Sequence, residues 1–444
     1  MSKLRISLSD HFTFRKLIRF ALPSIFMMVF TSIYCIADGF FISNFSGKIP
    51  FAAVNFIFPF LMILGAVGFM LGAGGTALIG KKLGIGDSKD AKKIFSMTVY
   101  CCILFGIILT IIGQILLEPV ARWQGADEEM LPFCIAYGRI YLCGLTAYML
   151  QMSFQSLVVV AEKPKMGLYV TLIAGISNMI LDALFVGLFR WGVRGAAVAT
   201  VIGMCLGGGI PLIYFTRKNS SLLRLGKPSL NFKNLAQVFL NGSSEFVSQI
   251  AMSVVGICYN MQLRKYGGND AVAAYGVLMY VGMIFTAIFI GFSIGTSPIV
   301  SYHYGADHRD ELRGLLKKGL LFICVSSFAM VILAEILALP IAYVFLSYDR
   351  EVMALTVHAF RIYALAFAFC GFTIYASSFF TALNDGITSA AISFLRTLVF
   401  QISAVYIFPI FMKLDGVWGS LVFAELTAVI IACLCFFIRR KKYF

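Results

Sequence analysis

The stretch from Thr98 to Leu117, TVYCCILFGIILTIIGQILL, decides the class of protein to which this chain belongs. It contains no charged side chain. At about 1.5 Å of rise per residue, a helix of this length spans about 30 Å of hydrocarbon. The whole chain of 444 residues is 60% hydrophobic and 13% charged, against about 25% charged in soluble domains. The composition predicts a polytopic membrane protein and excludes a disordered chain, a disulfide scaffold and a nucleic-acid-binding module.

Apolar runs and the breakers between them predict twelve transmembrane spans. The spans lie near 17–45, 51–80, 94–117, 133–160, 166–189, 194–215, 235–263, 271–302, 319–346, 354–382, 387–411 and 416–438. Lys and Arg are roughly three times as frequent in the loops of one side as in those of the other, and cytoplasmic loops carry this excess. We therefore expect a multi-pass protein of the cell inner (plasma) membrane with both termini in the cytoplasm. Topology explains the net charge of +15 without a nucleic-acid partner.

The chain repeats itself with a period of about half its length. Arg139–Tyr141 recurs as Arg361–Tyr363 at an offset of 222 residues, and Gly192–Gly195 resembles Gly416–Gly419 at an offset of 224. Because six spans per repeat is an even number, both halves would insert with the same orientation. The predicted fold is an all-α polytopic membrane protein with twelve transmembrane helices in two pseudo-symmetric six-helix lobes.

The repeat divides the chain into four segments. An N-lobe with spans 1–6 is expected at residues 1–215, and a C-lobe with spans 7–12 at residues 235–438. A basic cytoplasmic linker at 216–234 would join them, and a basic cytoplasmic tail would follow at 439–444. Two parallel lobes around a central cavity are the standard architecture for alternating access.

Acidic side chains inside the spans are candidates for function, because an ionisable group in hydrocarbon costs several kcal/mol. Asp38 and Asp182 each lie about seven residues, or roughly 10 Å, from the outer end of their span. Thr200 lies near the same level, and Asn178 is one helical turn from Asp182 on the same face. These four oxygen-bearing side chains come from three helices. They predict a cation site suited to Na⁺ or to a proton held between two carboxylates.

Three further acids fall within the spans. Glu245 lies near the middle of span seven and is a candidate second acidic site; the alternative is a buried, hydrogen-bonded glutamate. Glu335 and Glu425 are expected to be structural. The residues Ala404 to Tyr406 stand at the position in the C-lobe that corresponds to Asp182, so the two lobes are not expected to share the cation site.

Span one has two other features that bear on mechanism. Thr31, Tyr34 and Asp38 are spaced by three and four residues and share one helical face. Pro23 lies in the same span and can let the helix bend, because it removes a backbone hydrogen bond.

Catalytic motifs are missing from the sequence. The run Gly75–Lys81 spells the start of a phosphate-binding loop, but Lys82 occupies the required Ser/Thr position. No nucleophile elbow or zinc-protease signature is present. We expect neither an enzyme nor a cofactor, and no metal other than a coupling Na⁺.

Several stretches in spans one, five and six and after span two resemble the multidrug and toxic compound extrusion (MATE) family, and more closely its DinF-like branch. The resemblance rests on Ala37–Phe41, Gly84–Asp87 and, above all, Asn178–Asp182 followed by Gly192–Thr200. It implies a cation site at Asp38, Asn178, Asp182 and Thr200, in agreement with the depth argument. It also implies substrate contacts at Tyr34, Tyr137, Gln155 and Met204. Glu245 matches an acidic residue that some branches use in span seven, whereas the family's Asp-Pro of span five is Asp182-Ala183 here.

The resemblance implies a secondary active antiporter. It would export amphiphilic or cationic drugs or toxins in exchange for Na⁺ or H⁺ by alternating access, and so contribute to antibiotic resistance. We expect small-molecule substrates, contact with membrane lipids and a monomer. The alternative is a lipid-linked precursor flippase of the same superfamily, although such proteins more often have fourteen spans and basic residues lining the cavity. The substrate, the coupling ion, the stoichiometry and the part played by Glu245 are left open by the sequence.

Overall fold

Helices form almost the whole of the computed structural model, which describes residues 6–346 and 350–443 without the side chains of residues 344–346. The α-helices are α1 Phe14–Phe45, α2 Lys48–Ile85, α3 Ser88–Gln124, α4 Leu131–Cys143, α5 Leu145–Val160, α6 Pro164–Asp182, α7 Gly192–Thr216, α8 Phe232–Gly305, α9 Arg309–Leu346, α10 Arg350–Ala364, α11 Phe367–Ala382, α12 Gly386–Phe394 and α13 Ile402–Tyr443. Two π-helical segments occur at Ala183–Leu188 and Leu395–Gln401. No strand occurs within the described ranges. The predicted all-α class is confirmed.

Twelve crossings follow from the lengths and breaks of these helices. Eight helical stretches are long and apolar enough to cross a membrane, and each of the bent pairs α4–α5 (58°) and α10–α11 (45°) adds one. Two of the eight, Phe232–Gly305 and Gly386–Tyr443, contain two crossings each, because the backbone breaks at Gly268 and at Lys413. The predicted number of spans is confirmed. Several helices extend beyond the apolar runs, as α9 does by beginning at Arg309.

The internal repeat is visible in the backbone as well as in the sequence. Four left-handed corners of the first half recur in the second half at offsets of 221 to 223 residues. The pairs are Gly47 with Gly268, Gly86 with Asp307, Glu162 with Asn384, and Arg190 with Lys413. Residues other than glycine rarely adopt positive φ, yet all five that do so in the described ranges belong to these pairs. The two lobes are therefore pseudo-symmetric in their corners as well as in their helices.

The two lobes touch backbone to backbone at glycines. A Cβ on Gly84 of α2 would overlap the carbonyl oxygen of Tyr302 in α8, and a Cβ on Gly305 would overlap the carbonyl oxygen of Lys81. Further contacts of this kind join Gly74 to Val238 and Gly295 to Ala21. Small residues allow transmembrane helices to approach this closely. The ends of α2 and α8 therefore leave no passage between the lobes where they meet.

One face of the bundle, called here the terminal face, carries the residues before α1, the ends of α2 and α8, and the segment 217–231 between α7 and α8. That segment is not helical and packs back onto the bundle, with Leu223 fully buried. Another contact between the lobes lies on the same face, where Asn384 Nδ2 donates to the carbonyl oxygen of Ala77 at 3.0 Å. The lobe boundaries given by the sequence stay predictions.

We expect Gly84→Ala to lower stability, although Gly→Ala inside a helix normally raises it by about 1 kcal/mol. The added methyl group must push α2 away from α8, and overpacking of this kind costs about 1–3 kcal/mol. The matched control is Gly209→Ala in α7, where nothing lies within 4 Å of the new methyl group. Thermal unfolding in detergent measures both variants. Equal melting temperatures for the two would contradict the contact between the lobes.

Candidate cation site in the first lobe

The predicted cation ligands lie on three helices of the first lobe that pack against one another. Asp38 lies near the end of α1, Asp182 is the last residue of α6, and Thr200 lies in α7. Asn178 precedes Asp182 by one helical turn, which places both on the same face of α6. The fold thus brings together the side chains for which the sequence predicted a common depth.

Asp38 and Asp182 face each other across this group. Thr200 Oγ1 donates a hydrogen bond to Asp38 Oδ1 at 3.5 Å. The two carboxylates lie close enough to interact electrostatically. Asp182 is fully buried, and neither of its carboxylate oxygens has a hydrogen-bond donor among the described residues. The amide nitrogen of Asn178, which is a donor, likewise has no acceptor among the described residues.

This arrangement is incomplete as a set of hydrogen bonds. Ionised carboxylates only accept hydrogen bonds, and burying an unpaired ionised carboxylate is very costly. Two neighbouring carboxylates in a site of low dielectric cannot both stay ionised without a compensating positive charge. The pair therefore fits either one shared proton or one small cation bound to hard oxygen ligands.

A π-helix follows the acid directly, which the sequence did not predict. Residues Ala183–Leu188 continue α6 in π-helical geometry, and the Phe189 amide donates to the Leu184 carbonyl oxygen at 2.7 Å. Single π-helical turns within α-helices are frequent at functional sites. Ala183 has an N–H group where the family's Asp-Pro has none, and this N–H donates to the Met179 carbonyl oxygen at the end of α6. The π-helix places Asp182 at the junction between two helical geometries.

The predicted substrate contacts differ in accessibility. Tyr137, Gln155 and Met204 are 1%, 3% and 5% exposed, respectively. Tyr137 lies beside the carboxylate pair, and neither amide atom of Gln155 has a partner among the described residues. Tyr34 is half-buried and packs on Phe30, with ring centroids 6.2 Å apart. A substrate could reach the three buried side chains only after the helices of this lobe moved.

Glu245 lies apart from this group, in a cavity between the lobes. The cavity is lined by hydroxyl groups from both lobes, including Thr76 of α2 and Ser293 of α8. The hydroxyl oxygens of Thr76 and Ser293 are buried and have no partner among the described residues. The structure thus places Glu245 where two lobes meet, whereas the Asp182 site lies inside one lobe.

Sequence reasoning missed an ion pair inside the second lobe. Arg396 Nη2 and Nε donate to Glu425 Oε1 at 2.7 and 2.8 Å, and Thr373 Oγ1 donates to Glu425 Oε2 at 2.8 Å. Glu335, the other acid expected to be structural, is partly exposed and pairs with Arg361 at 3.4 Å. The sequence contained a signal for the first of these pairs, because Arg396 falls within a predicted span and an arginine there needs an acidic partner.

A two-lobed bundle of twelve helices, with an unpaired acid buried inside one lobe, has the architecture of a secondary membrane transporter. The MatE family model matches residues 23–184 and 244–407, which together make up more than half of the chain. The chain therefore belongs to the MatE family. It is a multi-pass membrane transporter of that family and not an enzyme.

Curated relatives are similar over nearly their whole length. The Multidrug export protein MepA of Staphylococcus saprophyticus is 23% identical over 432 residues, which cover 97% of this chain and 94% of that protein. The protein of the same name from Staphylococcus aureus is 23% identical over 433 residues, with the same coverage. The match therefore includes both lobes.

Solved structures share the fold. A multidrug resistance MATE family transporter of the MOP superfamily, in an outward-facing conformation, has a TM-score of 0.93 at 22% identity and covers 100% of this chain and 99% of its own. A MATE protein crystallised in complex with MaL6 has a TM-score of 0.92 at 22% identity, with 98% of both chains covered. At this level of identity the likeness extends to the fold alone.

We expect Asp38→Asn and Asp182→Asn each to lower coupled efflux by about tenfold or more, because one carboxylate alone no longer requires a shared cation. Both variants should fold, since each removes a buried charge that has no salt bridge to any residue that the structure describes. The control is Glu335→Gln, which neutralises an acid at the surface of α9. Efflux of a fluorescent cation from vesicles, together with the melting temperature in detergent, measures all three. Efflux at the wild-type rate in either aspartate variant would contradict the site.

Proposed function

We propose that this chain is a secondary active antiporter that exports amphiphilic or cationic compounds in exchange for Na⁺ or H⁺ by alternating access. The observation that carries the proposal is the buried pair of carboxylates at Asp38 and Asp182. Such a pair favours a compensating positive charge, and a proton or Na⁺ of the kind that drives such exchange would supply it. The names of the MepA relatives, which describe multidrug export, support the class of substrate.

The proposed exchange depends on charge at this pair. A proton or Na⁺ between the carboxylates removes their repulsion and lets α1 approach α6 and α7. That movement narrows the space beside Tyr34 and Tyr137, where we propose that the exported compound binds together with Gln155 and Met204. A ligand shifts a conformational equilibrium only by its differential affinity for the two states, so drug and cation must weaken each other's binding by the same factor.

The first helix can take part in this movement through Pro23. In the structure α1 is a single helix from Phe14 to Phe45 with Pro23 inside it. Proline leaves one helical hydrogen bond unmade, which lowers the cost of a bend at that place. We propose that cation binding favours the bent form.

The orientation follows from charge. The terminal face carries the basic residues of the linker, and cytoplasmic loops are the ones that hold such residues. We propose that this face lies in the cytoplasm, that the protein is a monomer in contact with the lipids of the plasma membrane, and that residues 1–215 and 235–438 are its two moving lobes. The glycine contacts between α2 and α8 then close the cytoplasmic side. The described conformation would therefore take up its cation from outside.

The second lobe supports a lesser role for Glu245. Arg396 is held in an ion pair by Glu425, and Glu245 is the one acid in a cavity lined otherwise by hydroxyl groups and apolar side chains of the described residues. The guanidinium of Arg396 is already paired with Glu425, so Arg396 does not provide a basic surface for a lipid-linked pyrophosphate. This arrangement favours drug export over the flippase alternative.

The test is efflux of ethidium from vesicles under an imposed Na⁺ gradient and, separately, under an imposed pH gradient. We expect one gradient to drive efflux in the wild type and neither to do so in Asp182→Asn. Glu245→Gln should reduce efflux less than either aspartate variant, because no second carboxylate of the described residues lines the cavity beside Glu245. Efflux that ignores both gradients would rule out antiport, and a larger loss in Glu245→Gln would move the coupling site to the second lobe.

A second measurement separates the bend from the exchange. Binding of ethidium is titrated by fluorescence at low and at high cation concentration in the wild type and in Pro23→Ala. A tenfold mutual weakening corresponds to about 1.4 kcal/mol of coupling. We expect this coupling in the wild type and a smaller one in Pro23→Ala. Equal coupling in both would leave the exchange intact and remove the bend from it.

A further inference from the structure

Residues Ser7–Phe12, called here the strap, lie across the terminal face immediately before α1. A tight turn shapes the strap: the Asp10 amide donates to the Ser7 carbonyl oxygen at 3.2 Å, and the Ser7 amide donates to Asp10 Oδ2 at 3.0 Å. Asp10 also forms an ion pair with Lys16 of α1 at 2.8 Å. Partial burial raises the pKa of Asp10, but the hydrogen bonds from Lys16 and Ser7 outweigh it and hold the pKa below its ordinary value. The turn thus stays charged and closed at neutral pH, and weakens only as the pH falls towards about 3.9 and below.

The strap is anchored to the first lobe at the corner between α5 and α6. Glu162 Oε1 accepts hydrogen bonds from Ser7 Oγ at 2.7 Å and from the Leu8 amide at 2.9 Å. The side chain of Leu8 is buried beneath the strap. The strap leads into α1 of the first lobe through a single residue, the N-cap Thr13. This chain connection and the Glu162 anchor together fix the strap to the first lobe.

A second anchor belongs to the other lobe. Glu311, in the first turn of α9, accepts from the Phe12 amide at 3.0 Å through Oε1 and contacts His11 Nδ1 at 2.6 Å through Oε2. Lys318, two turns further along α9, donates to the Phe12 carbonyl oxygen at 2.5 Å. One helix of the second lobe therefore holds both the N–H and the C=O of Phe12.

The ring of Phe12 completes the contact. It is fully buried and packs edge-on against His303 at the end of α8, with centroids 6.4 Å apart. Any movement that parts the lobes on this face must pull Phe12 away from both α8 and α9. Glu311 must then give up the Phe12 amide and the His11 ring together.

We propose that Glu311 is a positioning residue of the transport cycle. Through its contacts with Phe12 and His11 it binds the strap and so holds the terminal face closed. The lobes part on that face only after the strap has left Glu311. This inference rests on the alternating access proposed above. It concerns the end of the bundle away from the Asp182 site, and it involves neither the drug nor the coupling ion directly.

The experiment compares Glu311→Ala with Asp310→Ala. Both variants remove an acid from the first turn of α9 and so weaken the helix dipole interaction equally, but the Asp310 side chain is fully exposed and forms only a loose ion pair among the described residues, with Arg313 at 3.7 Å. Hydrogen–deuterium exchange of the full protein in detergent, without drug or gradient, reports how often the terminal face opens. We expect exchange at the ends of α2 and α8 to rise by about tenfold in Glu311→Ala and to stay at the wild-type level in Asp310→Ala.

Two other results would overturn the inference. Exchange in Glu311→Ala equal to that in Asp310→Ala would show that the strap does not hold the face. A rise spread evenly over all helices, including the buried α5, would make Glu311 a general stability residue. Lys318→Met provides a second variant, since it removes the other hydrogen bond to Phe12 and should open the same helix ends. Because no transport is measured, failure of the export proposal in vesicles would be distinguishable from failure of the strap.

Discussion

Two carboxylates cannot lie side by side in the interior of a membrane protein unless a positive charge lies with them. Asp182 is fully buried, and both its oxygens lack a donor among the described residues. The neighbouring acid, Asp38, has one weak hydrogen bond from Thr200 at 3.5 Å. The surrounding helices are therefore arranged around a charge that the chain does not itself supply. In the proposed antiport, such a lobe would change its preferred shape when the cation arrives or leaves, as coupled transport requires.

In the proposed cycle, the remainder of the structure would convert that local change into a movement of whole lobes. The first lobe contacts the second through glycines on α2 and α8, so a shift of one helix is resisted by backbone atoms and not absorbed by flexible side chains. The strap adds a polar contact to the same face, with Glu311 as its anchor on the second lobe. The closing contacts lie at one end of the bundle and the acidic pair lies inside a single lobe. In the proposed cycle, the helices between them would carry the coupling.

Much of the fold could be predicted from the sequence, because its signals are local. Apolar runs give the twelve crossings, and the repeated Arg-Ile-Tyr triplets give the two lobes. The common depth of Asp38, Asp182 and Thr200 could be predicted as well, since helical rise converts residue number into height. Depth alone does not determine which neighbouring side chains complete the predicted set of cation ligands.

What the sequence did not predict depends on contacts between distant segments. The Arg396–Glu425 pair joins residues of different helices, and nothing in the local pattern of either residue names the other. The burial of Tyr137 depends on how four helices pack together. The strap joins Phe12 to Glu311 over a separation of 299 residues. The π-helix after Asp182 has no local signature in the sequence.

The central claim, that the buried acidic pair holds one exchangeable proton or cation, is tested most directly by infrared difference spectroscopy of the purified protein. A spectrum recorded at acid pH minus one at alkaline pH, with and without Na⁺, reports protonated carboxyl groups by their C=O stretch. The account predicts a carboxyl band that disappears at alkaline pH or on addition of Na⁺, and that is lost or displaced in Asp182→Asn while it persists in Glu335→Gln. A band unchanged in Asp182→Asn, or spectra indifferent to both pH and Na⁺, would contradict it.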